Sequence, residues 1–290
     1  MIIIEMSGGL GNQMFQYALY ETLSSHGKDV RMDEYTGFHD DPQRDPVLGE
    51  IFSLTYQKAS RQEVLDLKDA DRSIHNWLRR RFTGGHGKIL TEPASGNFDP
   101  RVLECDNTYL EGYWQSERYF SDPAVQQKLR RVFALSPDRV LRSPAQRELL
   151  QRIEDAESVS IHIRRGDYLL PGVVETFGDI CTEDYYRRAI DYMLERYPRA
   201  VFFLFSNDLA WTAEHFDGER FVTVGATDDV GDDTHLFLMS RCRHHVIANS
   251  SFSWWGAWLD ARQEKTVIAP KKWINTKEMK DIYTENMIRL

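Results

Sequence analysis

Ser158-Val159-Ser160-Ile161-His162-Ile163-Arg164-Arg165-Gly166-Asp167-Tyr168 alternates apolar and polar side chains up to a turn that carries two adjacent guanidiniums and a carboxylate. The alternation places Val159, Ile161 and Ile163 on one face of a strand and Ser160, His162 and Arg164 on the other. A strand inside an α/β domain is covered on both faces, and both are then normally apolar. Histidine and arginine on one face therefore call for a polar ligand or a polar partner. Open α/β sheets bind ligands outside the carboxyl ends of their strands, where a pair of arginines suits a pyrophosphate or a carboxylate. An Arg–Asp ion pair on a surface strand explains the heptad His162 to Tyr168 equally well, so this stretch sets the fold class and leaves the ligand open.

Downstream the pattern repeats. Tyr185 to Arg196 has helical spacing, and Ala200-Val201-Phe202-Phe203-Leu204-Phe205 reads as a buried strand ending in Ser206-Asn207-Asp208. Arg220 to Val224 is a short strand, Thr234 to Arg241 a helix, His245 to Ala248 a strand and Lys265 to Ala269 a last strand. Strands and helices in alternation predict a parallel sheet with right-handed crossovers. Three polar strand exits then share one sheet edge: His162 to Arg165, Ser206 to Asp208, and Asn249-Ser250-Ser251-Phe252-Ser253. Ser250, Ser251 and Ser253 stand where a helix begins, so backbone N–H groups and hydroxyls there can hold a phosphate. Asp208 can accept two N–H donors of guanine, or can simply cap a helix. Ser253 can be a plain N-cap, and Trp254 and Trp255 plain core.

Upstream, Met1 to Met6 reads as a strand, Ser7-Gly8-Gly9-Leu10-Gly11-Asn12-Gln13 as a Gly-rich turn, and Met14 to His26 as a helix. This is a Rossmann-like opening, although Met14 occupies the third glycine position and the Walker lysine is absent. Asp40 to about Gly96 is polar and decorates the first domain. Tyr109 to Phe120 is rich in aromatics and amides, which suits a sugar-stacking or interdomain surface, and core packing suits it as well. Trp77-Leu78-Arg79-Arg80-Arg81-Phe82 is a solvated basic loop or a contact for an anionic surface. Two domains are expected, residues 1–145 and 146–290.

Composition narrows the function classes. At 290 residues, 41% hydrophobic and 12% aromatic, the chain can bury a sizeable core. A formal net charge of −9 argues against a nucleic-acid partner. Cys105, Cys181 and Cys242 are too far apart for a disulfide framework or a Cys-x-x-Cys metal site and read as reduced thiols of a cytosolic protein. The start has no basic region or cleavage site of a signal peptide, and no run of about 18 apolar residues would span a membrane. A cytoplasmic protein is expected, with at most a peripheral place at the inner membrane face.

Four stretches together carry a resemblance. Ser7-Gly8-Gly9-Leu10-Gly11-Asn12-Gln13-Met14-Phe15-Gln16-Tyr17-Ala18, His162 to Tyr168, Phe205-Ser206-Asn207-Asp208 and Asn249 to Trp258 resemble, in order and spacing, the motifs of the bacterial α-1,2-fucosyltransferases. Gly112-Tyr113-Trp114-Gln115-Ser116-Glu117 is also similar. The resemblance implies an α/β, GT-B-like fold of two Rossmann-like domains. It further implies inverting transfer of L-fucose from GDP-fucose to the 2-hydroxyl of a galactoside, on an oligosaccharide or a lipid-linked glycan, with no metal and no cofactor.

Residue by residue, it gives Arg164 the pyrophosphate, His162 the nucleoside and Asp208 the guanine edge. Ser206, Asn249, Ser250, Ser251, Phe252 and Ser253 complete the donor site, and Gly9, Gly11 and Asn12 bring backbone against the β-phosphate. Arg164, Asp167 and Asn12 are the expected catalytic residues, with Asp167 as general base unless it merely pairs with Arg165. Glu111 and Glu117 stand in reserve for that role. Tyr113, Trp114, Gln115 and Glu117 are the expected acceptor contacts.

Two other readings compete. A dinucleotide oxidoreductase would use Asp29 or Asp33 for a ribose, but leaves the arginine and serine clusters without a role. A non-catalytic sugar-binding module leaves the polar strand exits unexplained. Because the cations facing a diphosphate would be arginines and helix N–H groups, with no Asp-x-Asp at a strand exit, activity is expected to survive EDTA nearly intact. Abolition by the chelator, with recovery on adding Mg²⁺ or Mn²⁺, would overturn this.

Overall fold

The computed structural model describes residues 1–290 apart from 40, 42, 71–86 and 226–229. The basic segment Trp77 to Phe82 and most of the Gly84–Gly87 cluster lie outside the described residues. Met1–Val132 and Phe133–Leu290 form two compact units. The division falls before residue 145 because residues 133–145 pack on the second unit. Val140 and Leu141 are buried with Phe203, Phe205 and Leu238, and the Thr234 hydroxyl donates to the Val140 carbonyl at 2.7 Å.

The first unit holds a four-stranded parallel sheet in the order β2-β1-β4-β3, with β1 Ile2–Glu5, β2 Val30–Asp33, β3 Ile89–Thr91 and β4 Thr108–Glu111. Its main helix, α1, runs Leu10–Ser25 and so begins four residues before the expected Met14. Gly9 is its N-cap, and the Asn12 N–H already bonds back to the Gly9 carbonyl at 2.9 Å. Gly8, at φ +72°, makes the turn before it, a conformation that favours glycine. The aromatic stretch from Tyr109 is mainly core: Tyr109, Trp114, Tyr119 and Phe120 are all buried.

The second unit holds six parallel strands, β5 Glu157–Ile163, β6 Ala200–Ser206, β7 Phe221–Thr223, β8 His244–Val246, β9 Val267–Ala269 and β10 Met287–Arg289. Their order is β10-β9-β8-β5-β6-β7. Renumbered within the unit this is the 3-2-1-4-5-6 arrangement of a Rossmann sheet, and its order reverses between β5 and β8. The whole chain is therefore α/β, with a Rossmann-like sheet in each unit. β10 was not anticipated, being three residues too short to show a period.

Helices cover both faces of the larger sheet. α2, Glu183–Arg196, lays Tyr185, Tyr186, Ala189 and Met193 against Val159, Ile161, Ile163 and Phe202. On the opposite face α4, Asp232–Arg241, packs Phe237, Leu238 and Met239 against Phe203 and Phe205. Each large side chain so buried stabilises by about 1.5–3 kcal/mol. Two further helices leave the strand ends, α3 Leu209–His215 after β6 and α5 Ser251–Leu259 after β8. Among the described residues no helix is long and apolar enough to cross a membrane.

The polar stripe on β5 has an internal partner at its middle. Ser160 Oγ meets His245 Nδ1 at 2.8 Å, His245 Nε2 meets Asp260 at 3.2 Å, and Arg262 donates to Asp260 at 2.9 Å. Burial holds the His245 pKa below its usual value despite Asp260, and burial likewise lowers that of His244 beside Glu157. As pH falls below the unfolded value of about 6.5, the unfolded chain takes up these protons first, so stability is present above that pH and drains away below it. The thermal unfolding midpoint is expected to fall between pH 7 and pH 5, with a shallower slope in His245→Gln. A midpoint that stays flat across that window would contradict the assignment.

Candidate functional site

The register of the parallel strands brings the three polar exits to one edge. Ile163 pairs with Ser206 across β5 and β6, and Ile161 with Val246 across β5 and β8. The turns after β5 and β8 thus flank the point where strand order reverses, the position at which such sheets bind ligands.

At the β5 exit the two arginines go separate ways. Arg164 pairs with Asp167 at 2.6 Å and lies 5.5 Å from the centre of the Tyr168 ring. Arg165 stacks over Trp211 at 4.2 Å and reaches Asp208 at 3.4 Å. The expected Arg165–Asp167 pair is therefore corrected. Alternation sends Arg165 toward α3, while the short turn Gly166–Leu169 brings Asp167 back beneath Arg164. Asn207 braces this turn by accepting from the Arg165 N–H at 2.9 Å, and a Cβ on Gly166 would lie 2.7 Å from its amide nitrogen.

Several residues expected at the donor also have local work. Asp208 caps α3 by accepting from the Trp211 N–H at 3.1 Å, and its other oxygen faces Arg165. The Ser206 hydroxyl accepts from the Asp208 N–H at 2.9 Å and closes the turn. The Asn249 amide donates to the Phe177 and Trp273 carbonyls, both at 3.1 Å, while its oxygen accepts from Cys181. That side chain clamps loops together and does not project from the edge.

The start of α5 behaves differently. Ser250 is the N-cap, without a side-chain capping bond, and the Trp254 N–H makes a helical bond to the Ser250 carbonyl. The N–H groups of Ser251, Phe252 and Ser253 belong to a first turn that has no intrahelical acceptors and carries the positive end of the helix dipole. Ser253 is fully buried and donates to the Ser250 carbonyl at 3.3 Å.

His162 is 6% exposed, and burial, followed by the charge of Arg164 and by His235, pushes its pKa down to about 3. It is a neutral imidazole, and its Nδ1 lacks a partner among the described residues. A cavity of about 240 Å³ opens beside this edge, lined by Arg164, Arg165, Tyr168, Trp211, Cys181 and Asn249 among others. Trp211 and Cys181 were not foreseen. Burial pushes the Cys181 thiol up to about 12, which keeps it protonated near neutral pH.

In the first unit, Asn12 accepts from the Gln115 amide at 2.7 Å, and a Cβ on Gly8 would lie 3.1 Å from Tyr113. Gly9 has an ordinary φ of −75°, and a Cβ there would lie 3.6 Å from the guanidinium of Arg44, a cation that the sequence reading passed over. Gly11 is buried in the first turn of α1. Of the four expected acceptor contacts, Tyr113 is exposed, whereas Trp114 is completely buried with its ring edge-on to Tyr119. Sugar stacking on Trp114 is thereby corrected to core packing. Gln115 is buried against Asn12, and Glu117 accepts from the Gln126 amide at 3.2 Å. Glu111, a reserve base, is paired with Lys68 at 2.7 Å.

The protein-family model described as glycosyl transferase family 11 matches residues 70–290. An α-1,2-colitosyltransferase of Escherichia coli is 32% identical over 96% of this chain and 94% of its own. The O-antigen biosynthesis glycosyltransferase WbnK of the same species is 28% identical over 98% and 99%. Galactoside α-(1,2)-fucosyltransferase 1 of Bos taurus is 24% identical over 88% and 65%. With a Rossmann-like sheet whose switch point lies between the turn carrying Arg164 and the start of α5, and with relatives along almost its whole length, the chain belongs to glycosyl transferase family 11.

Proposed function

We propose that this glycosyltransferase moves L-fucose from GDP-fucose to the 2-hydroxyl of a terminal galactoside, with inversion, in the synthesis of a bacterial surface glycan. The observation that carries the reading is that Arg164 and the N-terminal end of α5 both stand at the switch point between β5 and β8. A diphosphate placed there meets one fixed guanidinium and one helix N-terminus, both preorganised for negative charge.

The chemistry follows from charge. As the glycosidic bond breaks, the leaving diphosphate gains negative charge, and donors already in place stabilise that charge without reorganising. Asp167 then reads best as the group that holds Arg164, since its two oxygens face Arg164 and Asn207. This reading replaces its expected role as base. Tyr113, exposed beside the Gly-rich turn, is the acceptor contact that remains on the first unit.

The name of the colitosyltransferase relative supports a second donor. Colitose is fucose without its 3-hydroxyl, so the two nucleotide sugars present the same diphosphate. The deciding experiment offers GDP-fucose and GDP-colitose with β-1,3- and β-1,4-linked galactosides and determines the product linkage. An α-1,2-fucosylated product supports the reading, transfer from GDP-colitose alone moves it to the second donor, and no transfer from either removes both. Arg164→Ala should cut turnover by roughly a hundredfold, about 3 kcal/mol, while remaining folded. Near-parental turnover in a folded Arg164→Ala enzyme would reject the diphosphate assignment.

A further inference from the structure

Among the described residues, three buried side-chain nitrogens have no hydrogen-bond partner, and two of them are imidazole atoms of the second unit, His162 Nδ1 and His235 Nε2. Both stand on one side of one sheet edge. His162 is the direct partner of Phe205 across β5 and β6, and the His235 ring, in the first turn of α4, stands edge-on to Phe205 at 5.8 Å. Phe252, in the first turn of α5, packs against His162 at 5.8 Å. Two helix starts and two strand ends thus bring together two imidazoles and two phenyl rings.

A buried nitrogen without a partner is destabilising, and two at one place ask for a reason. Both rings are neutral, since burial lowers the pKa of each, at His235 against the opposing pull of Asp232 and Asp233. A neutral imidazole nitrogen donates or accepts according to its tautomer, and it offers nothing special to a phosphate. Aromatic walls with neutral hydrogen-bonding nitrogens fit a planar heteroaromatic ring that carries donors and acceptors on its edge. The His235 residue is partly exposed, whereas its Nε2 is itself covered. Asp208, the residue expected to read such an edge, is engaged by its cap and by Arg165.

We propose that His235, together with His162, reads the edge of the donor's purine base and sets its base specificity. This rests on the nucleotide-donor reading above. His235 was passed over in the sequence because a histidine inside a helix carries no motif, and only the folded chain shows its unpaired nitrogen.

Calorimetric titration of the parent protein, His235→Ala and His235→Gln with GDP, ADP and inorganic pyrophosphate tests it. His235→Ala should weaken GDP by roughly tenfold or more, the size expected for one lost buried hydrogen bond. It should also narrow the GDP-to-ADP ratio and leave pyrophosphate unchanged, and His235→Gln should recover part of the loss. Unchanged GDP binding, or equal losses for all three ligands, would overturn the assignment of His235. A parent that binds GDP no better than pyrophosphate would overturn the nucleotide-donor reading, and this inference with it.

Discussion

The buried relay Ser160–His245–Asp260 joins β5 to β8 along the line where the strand order of the larger sheet reverses. Polar groups in a covered sheet are tolerable only when satisfied, so a shift of β8 by one residue would leave three of them orphaned. The relay thereby fixes the level at which both chains leave the sheet. Everything at the site edge inherits that register: the turn carrying Arg164, the clamp formed by Asn249 and the first turn of α5. Arg262 closes the relay by supplying a cation to Asp260.

The same edge shows how two adjacent arginines divide their labour. Alternation turns Arg165 toward α3, where the Trp211 ring and the Asp208 carboxylate hold it, so it links the end of β5 to the helix after β6. Arg164 stays at the edge, held by Asp167 and close to Tyr168. A guanidinium kept in one place by a carboxylate loses less freedom when an anion arrives, which favours binding at a defined geometry. The helix start at Ser250 adds a second electropositive element that requires no charged side chain.

In the first unit the glycine turn serves local geometry. Gly8 takes the left-handed backbone that starts the turn, while Gly9 caps α1 in an ordinary extended conformation. The Gln16 amide ties the turn to the Gly112 carbonyl at 2.9 Å and Gln115 ties it to Asn12, so the aromatic segment behind is a support for the turn. Trp114 belongs to that support, which explains why an aromatic that looks suited to a sugar is buried.

The sequence by itself determined the fold class, the order of the strands in the second unit from β5 to β9, and the edge at which its polar groups collect. Periodicity and strand exits are local properties, written in neighbours two to four residues apart. Alternation also assigned Arg164 and Arg165 to opposite faces, while the choice of Arg164 for the diphosphate came from the family resemblance. Partner choice was decided only by the tertiary structure. Asp167 turned to Arg164, Asp208 to its own helix cap, Asn249 to two loop carbonyls and Trp114 to the core, and the unpaired nitrogen of His235 emerged beside Phe205. Each of these outcomes depends on groups tens of residues apart competing for the same hydrogen bond or the same space, and that competition is settled only once the chain has packed.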